Sequence, residues 1–127
     1  MGIGIDVVLL SRVRAVVERR GAARFARRIL HHKEMGDFEE LVRDDRRVVA
    51  FLATRFAAKE ALYKAAFPAA TLTWKDVYVA KQGRKPSLML DTTMEQGRRL
   101  AEVCPRLHLS VSHDGDLATA FVVLESR

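Results

Sequence analysis

Apolar positions along the chain recur first with the period of a strand and then with that of a helix. Residues 2–8 carry Ile3, Ile5, Val7 and Val8 in an alternating to continuous run, which predicts a first strand with Asp6 at its exit. Ser11 then starts a helix. Over 12–20, and again over 22–30 after a break at Gly21, Val13, Val16, Val17, Phe25, Ile29 and Leu30 supply the apolar positions of two helices, with arginines between them. A polar segment with Gly36 and Asp37 leads to a small helix near 38–42. Asp44 and Asp45 are N-cap residues for a long helix over 46–67, which Pro68 ends. Ala53, Ala57, Ala58, Ala61, Ala65 and Ala66 let neighbours approach that helix closely, so it is expected to be central and buried. Strands at 74–80 and 87–90 flank a hairpin-type Lys-Gln-Gly-Arg-Lys-Pro segment, and a helix over 93–103 stops before Pro105. Two closing strands, 107–112 and 117–124, enclose His113-Asp114-Gly115-Asp116, whose Asp-Gly pair is a turn signal. The expected architecture is α+β, one domain over 1–127, with an antiparallel sheet packed on the long central helix.

The long helix departs from ordinary amphipathic patterning. At about 100° per residue, Val48, Phe51, Leu52, Phe56, Leu62, Tyr63 and Phe67 gather into one apolar arc, and Arg55 and Lys59 project from inside it. Glu60 and Lys64 sit at its edge. An unpaired buried charge is costly or shifts its pKa until neutral. Two readings fit: either something anionic or a metal meets this helix, or the long side chains snorkel to water and Glu60 with Lys64 is a plain i,i+4 surface pair.

Composition narrows the class. With 127 residues, 49% hydrophobic and 30% charged, the chain is globular and long enough for one real core. No segment approaches the roughly 20 apolar residues of a membrane span, so a soluble protein with no membrane partner is expected. A single cysteine, Cys104, excludes an internal disulfide framework and a cysteine-based zinc site, and suits a reducing compartment. The opening Met-Gly-Ile-Gly-Ile-Asp resembles neither a secretory signal nor an Arg- and Ser-rich presequence. The net charge of +6, from 22 Lys and Arg against 16 Asp and Glu, points to an anionic partner. Arginines at 12, 14, 19, 20, 24, 27 and 28 make the first helices the basic face.

Two carboxylates stand where a fold can aim them, Asp6 at a strand end and Glu60 on the central helix. Oxygen ligands of this kind suit magnesium, which takes one or two carboxylates together with substrate phosphates. Arg55, Lys59 and Lys64 would add cations for a polyphosphate, and His113 a hydrogen-bond donor or acid. The residues alone leave alternatives open: Asp6 as a cap of the following helix, and His113 with Asp114 as plain turn residues. His31 and His32 read as a solvated loop, His108 as outward-facing on its strand, and Trp74 and Tyr78 as strand packing. A rival reading is a non-enzymatic basic module binding nucleic acid or an acidic protein through 12–28. That module would need neither Asp6 nor Glu60, and few aromatics are available for base stacking, so no nucleic-acid partner is expected.

Gly2-Ile3-Gly4-Ile5-Asp6, Arg24-Phe25-Ala26-Arg27-Arg28-Ile29, Arg55-Phe56-Ala57-Ala58-Lys59-Glu60-Ala61 with Lys64, Trp74-Lys75-Asp76-Val77, Arg84-Lys85-Pro86 and Ser110-Val111-Ser112-His113-Asp114 occur in that order. In this combination the chain resembles the holo-[acyl-carrier-protein] synthases, the small 4′-phosphopantetheinyl transferases, over nearly its whole length. The resemblance implies transfer of the 4′-phosphopantetheine arm of coenzyme A to a serine of apo acyl carrier protein, with release of adenosine 3′,5′-bisphosphate, for fatty acid biosynthesis. It further implies that Asp6 and Glu60 hold magnesium on the coenzyme A diphosphate and that Glu60, directly or through water, takes the serine proton. Lys64 would stabilise the leaving phosphate, Arg55 and His113 would surround the 3′-phosphate, Lys59 would join the coenzyme contacts, and Pro86 would line the adenine side.

For the partner, the resemblance implies that Arg12, Arg24 and Arg28 dock the acidic carrier protein around Phe25, and that homotrimers form with sites at subunit interfaces. Bacterial relatives commonly follow the central helix with a glycine-rich loop. Here 65–73 reads Ala-Ala-Phe-Pro-Ala-Ala-Thr-Leu-Thr without glycine, more like fungal mitochondrial members. The expected place is intracellular, the cytoplasm or the mitochondrial matrix, with a lean to the latter.

Overall fold

The computed structural model describes residues 1–126, apart from the side chain of residue 82. In chain order the elements are β1 (Gly2–Leu9), α1 (Leu10–Arg20), α2 (Ala22–Ile29), a 3-10 turn (His32–Glu34), α3 (Met35–Leu41), α4 (Asp45–Ala66), a second 3-10 turn (Trp74–Asp76), β2 (Val77–Gln82), β3 (Lys85–Leu90), α5 (Glu95–Val103), β4 (Arg106–Asp114) and β5 (Leu117–Glu125). The class is α+β as expected, but the strands divide. β1, β5 and β4 make one antiparallel sheet in that spatial order, and β2 with β3 is a separate hairpin.

Helix α4 lies at the centre because its alanines leave room on several sides. Ala53, Ala57, Ala58, Ala61, Ala65 and Ala66 are all buried. Its first half packs Val48, Val49, Phe51 and Leu52 against Val13, Ala26, Ile29, Leu30 and Phe38. Its second half packs Ala57, Ala61 and Leu62 against Val77, Val79, Leu100 and the inward residues Ala120, Val122 and Leu124 of β5. Tyr63 and Phe67, expected within the apolar arc, instead stand exposed and stack on each other with ring centroids 6.0 Å apart.

Strand β1 crosses α4 on its even-numbered side. A β-carbon at Gly2 would collide with the Ala65 carbonyl, and one at Gly4 with the Ala61 carbonyl, so two glycines permit the backbones to touch. The strand continues to Leu9, which puts Asp6 in mid-strand opposite Ala120, not at the exit. Asp6 does not cap α1. Asp116, from the β4–β5 turn, does so by accepting from the Ser11 amide (2.9 Å) and hydroxyl (2.7 Å).

Two further expectations change. Trp74 is not in a strand: Asp76 accepts from the Thr73 amide and hydroxyl at 2.6 and 3.0 Å, closing a capped turn that delays β2 to Val77. His31 is not solvated either. It is 2% exposed, with Nε2 2.7 Å from an Asp91 oxygen and Nδ1 accepting from the Lys33 amide. Hydrogen bonds from His31 and then Thr93 hold the Asp91 carboxyl well below the usual range. His108 faces outward as expected, 2.6 Å from Glu125.

Candidate active site

Asp6 and Glu60 arrive from different elements, and Lys64 joins them. The Lys64 ammonium donates to Asp6 Oδ1 and to the Ile5 carbonyl, both at 3.0 Å, and lies one helical turn beyond Glu60. Glu60 is pushed up from the ordinary glutamate value, first by partial burial and then by the charge of Asp6, with Lys64 opposing. A carboxylate pushed up by burial and by a second carboxylate beside it, with one cation to offset the pair, forms a donor set that favours a further positive charge. That chemistry fits a hard divalent cation sharing its coordination with water and substrate oxygens. Among the described residues, no three His, Cys, Asp or Glu side chains converge as a closed protein site.

Arg55 lies five residues before Glu60, about 140° around the helix. It lines a different cavity, of about 220 Å³, together with Thr54, Val79, Lys81, Pro86, Val111 and His113. The structure therefore gathers Arg55, Pro86 and His113 as one group, and Asp6, Glu60 and Lys64 as another, on different sides of α4. His113 belongs to β4, paired with Ala118, with the turn beginning beyond Asp114.

Lys59 lines a cavity of about 200 Å³ beside Glu60, but its charge is turned inward. Its ammonium is buried and donates to Glu34 Oε1 at 2.5 Å, the Ile29 carbonyl at 2.8 Å and the Trp74 carbonyl at 3.2 Å. All three of its protons are thus used inside the fold. Burial lowers its pKa, and the charge and hydrogen bond of Glu34 oppose that effect. The anion that this part of α4 required is a residue of the chain itself. Glu34 went unnoticed in the sequence because it sits amid polar neighbours. The signal that could have found it was the demand of two arc cations for an internal acid.

The basic face forms beside Asp6. One groove of about 370 Å³ is lined by Asp6, Arg12, Val13, Val16, Phe25 and Phe56. It adjoins a second, of about 400 Å³, lined by Val16, Arg19, Arg20, Arg24, Phe25 and Arg28. Phe25 is shared by both, and its ring lies 6.2 Å from that of Phe56 on α4. The predicted docking residues Arg12, Arg24, Phe25 and Arg28 are thus contiguous with one of the paired carboxylates.

A basic groove that reaches one of two neighbouring carboxylates on an α+β scaffold suits the handling of anionic groups. The family model of the 4′-phosphopantetheinyl transferase superfamily matches residues 2–122, and the chain belongs to that family. The holo-[acyl-carrier-protein] synthase of Thermus thermophilus is 38% identical over 127 residues, covering all of this chain and 94% of that one. The Streptomyces coelicolor protein of the same description is 40% identical, covering 98% and 97%. Among solved structures, a Bacillus anthracis holo-(acyl-carrier-protein) synthase in complex with CoA (3′,5′-ADP) aligns with a TM-score of 0.78 at 35% identity, covering 99% and 96%. The Neisseria meningitidis enzyme gives 0.82 at 31%, covering 98% of each.

Proposed function

We propose that this protein transfers 4′-phosphopantetheine from coenzyme A to a serine of an apo acyl carrier protein, the step that primes carriers for fatty acid biosynthesis. The observation that carries the reading is the Asp6, Glu60 and Lys64 cluster, whose Asp6 also lines the basic groove of Arg12 and Phe25. In the reaction, the serine oxygen bonds to the phosphorus that bears the pantetheine arm. The bond from that phosphorus to the bridging oxygen breaks, and its electrons leave with adenosine 3′,5′-bisphosphate. Glu60, directly or through water, accepts the serine proton, since burial and Asp6 raise its proton affinity above that of an ordinary glutamate. Lys64 meets the charge growing on the leaving phosphate. Asp6 and Glu60 would hold magnesium, which when bound neutralises the diphosphate.

Intact-mass spectrometry of apo carrier protein with coenzyme A and magnesium, beside a chelated sample, tests this. A metal-dependent gain of one phosphopantetheine is expected. No gain on bacterial or mitochondrial carriers would return the basic-module reading. For docking, Arg24→Glu with Arg28→Glu should raise the KM for carrier about tenfold while leaving that for coenzyme A within about twofold, because exposed charges steer encounter with one partner only. Equal rises in both would mean that these arginines hold the nucleotide or the fold.

The homotrimer expectation becomes a specific proposal. Ile3, Ile5, Val7 and Leu9 of β1, with Leu117 and Phe121 of β5, form an apolar outer sheet face; Ile3, Ile5 and Val7 are each more than half exposed. Such contiguous apolar surface marks an interface. Copies meeting there would let the Arg55, Pro86 and His113 group of one subunit complete the Asp6, Glu60 and Lys64 group of the next. Ile5→Lys should then reduce a three-chain particle to one chain in light scattering and remove most activity; a particle of unchanged mass would exclude this face. We place the protein in the cytoplasm or mitochondrial matrix, where Cys104 stays reduced.

A further inference from the structure

We propose that Glu34 is a positioning residue for recognition of the coenzyme's 3′-phosphate, acting from inside the fold through Arg55. The proposal rests on the reading that Arg55 meets that phosphate. Glu34 is 1% exposed and bonded on both carboxylate oxygens. Oε1 accepts from the Lys59 ammonium and, at 2.9 Å, from the His31 amide, while Oε2 accepts from the Val79 amide at 3.1 Å. A carboxylate fixed by three donors on three segments cannot turn to follow a ligand.

Arg55 depends on this fixed charge. Its guanidinium lies over the Phe51 ring, 3.9 Å from the centroid, and its Nε is 4.0 Å from Glu34 Oε2. That Nε is buried and makes no hydrogen bond. The cation is therefore held by a ring on one side and by an ion pair without a direct bond on the other. Arg55, Lys59 and Lys75 all lie in the field of Glu34, and Asp37 adds a second negative charge near Arg55, so three cations stand against two acids and the cluster keeps an excess positive charge. Arg55 is the member that lines the cavity, where an anion would complete the balance.

Glu34 also sets the shape of that cavity. Arg55 and Val79 line it from opposite elements, α4 and β2, and the same carboxylate accepts from the Val79 amide and faces the Arg55 guanidinium as an ion pair at 4.0 Å. Lys81, two residues beyond Val79, and its β3 partner Pro86 ride on the strand that Glu34 holds. One internal acid thus fixes both the direction of the arginine and its distance from the opposite wall.

The test compares kcat/KM for coenzyme A with that for 3′-dephospho-coenzyme A in the full-length protein. Loosening of the fold alone lowers both values equally, whereas misplacing the phosphate reader narrows their ratio. Arg55→Ala should abolish most of the preference for coenzyme A. Glu34→Gln should narrow it about tenfold, since displacement of a positioning group by about 1 Å carries losses of that order or larger. Should Glu34→Gln fail to fold, Glu34→Leu with Lys59→Met removes the buried pair without leaving an unpaired lysine, and the same narrowing is expected. An unchanged preference in either folded Glu34 variant, with Arg55→Ala narrowing it, overturns the positioning role alone. An unchanged preference in Arg55→Ala removes Arg55 from the phosphate and overturns the proposal at its base, while transfer itself stays measurable.

Discussion

Glu60→Gln should produce a protein that melts at a higher temperature than the wild type at pH 7 and transfers almost no phosphopantetheine. The two effects have one cause. Burial and the neighbouring Asp6 raise the Glu60 pKa in the fold. A carboxyl whose folded pKa exceeds its unfolded value contributes stability that is present at low pH and is lost as pH rises through the folded pKa. At neutral pH the ionised carboxylate is thus a net cost to the metal-free protein, and a neutral amide of the same shape removes it. The amide can neither accept the serine proton nor supply a full charge to a divalent cation. A fall in kcat of about 1,000-fold, ~4 kcal/mol of transition-state stabilisation, is expected. Asp6→Ala should lose activity to a similar degree but without the gain in melting temperature, because it also strips Lys64 of its 3.0 Å partner. Full activity in both variants with magnesium present would sink the assignment of the pair, and a lower melting point for Glu60→Gln would contradict the electrostatic account of Glu60.

Much of this site was legible in the chain before the structure, and what was not legible has particular physical reasons. Periodicity located α4 and the closing hairpin, because long helices and Asp-Gly turns are written locally. It missed the separation of β2–β3 from the main sheet, since pairing between distant strands leaves no local mark. It extended the strand back over Trp74, where the Thr73 and Asp76 side chains override the apolar run. The misplaced charges on α4 left two readings open, an anionic or metal partner and snorkelling to water, and for Lys59 the structure shows neither. For Lys59 the compensating acid is Glu34, 25 residues away in sequence and visible only once α2, the following turn and α4 are packed. His31 was misjudged for the same reason, because its partner Asp91 lies 60 residues on. Residue type and order singled out Asp6 and Glu60 as candidates, but their approach to each other depends on two glycines whose meaning is purely steric.

Gly4→Ala tests that steric meaning. The added β-carbon would be driven onto the Ala61 carbonyl oxygen and would lie 2.8 Å from the Ala65 amide nitrogen and 2.9 Å from the Ala61 carbonyl carbon. All of these are backbone atoms of a buried helix, so no side chain can rotate away. β1 cannot retreat freely either, because it is paired with β5 along its length, with Gly4 opposite Val122. Strand and helix must separate, which opens the core beneath Leu62 and Val122 and forfeits close-packed contacts. Overpacking usually costs about 1–3 kcal/mol, and rigid backbone on both sides puts this site at the upper end, a fall in Tm of roughly 10 °C for a domain of this size. Asp6 is two residues along the same strand and on the same side, so it moves away from Glu60 as the strand lifts. Activity should therefore drop about 100-fold even well below the new Tm, as expected for a misplacement of about 1 Å in a preorganised site. Gly36→Ala is the matched control: it lies in α3, nothing stands within 4 Å of its β-carbon, and the substitution should be neutral or slightly stabilising. If Gly4→Ala melted like the wild type, the contact between β1 and α4 would not be what fixes the carboxylate pair, and the spacing of Asp6 from Glu60 would have to come from the Lys64 bridge instead.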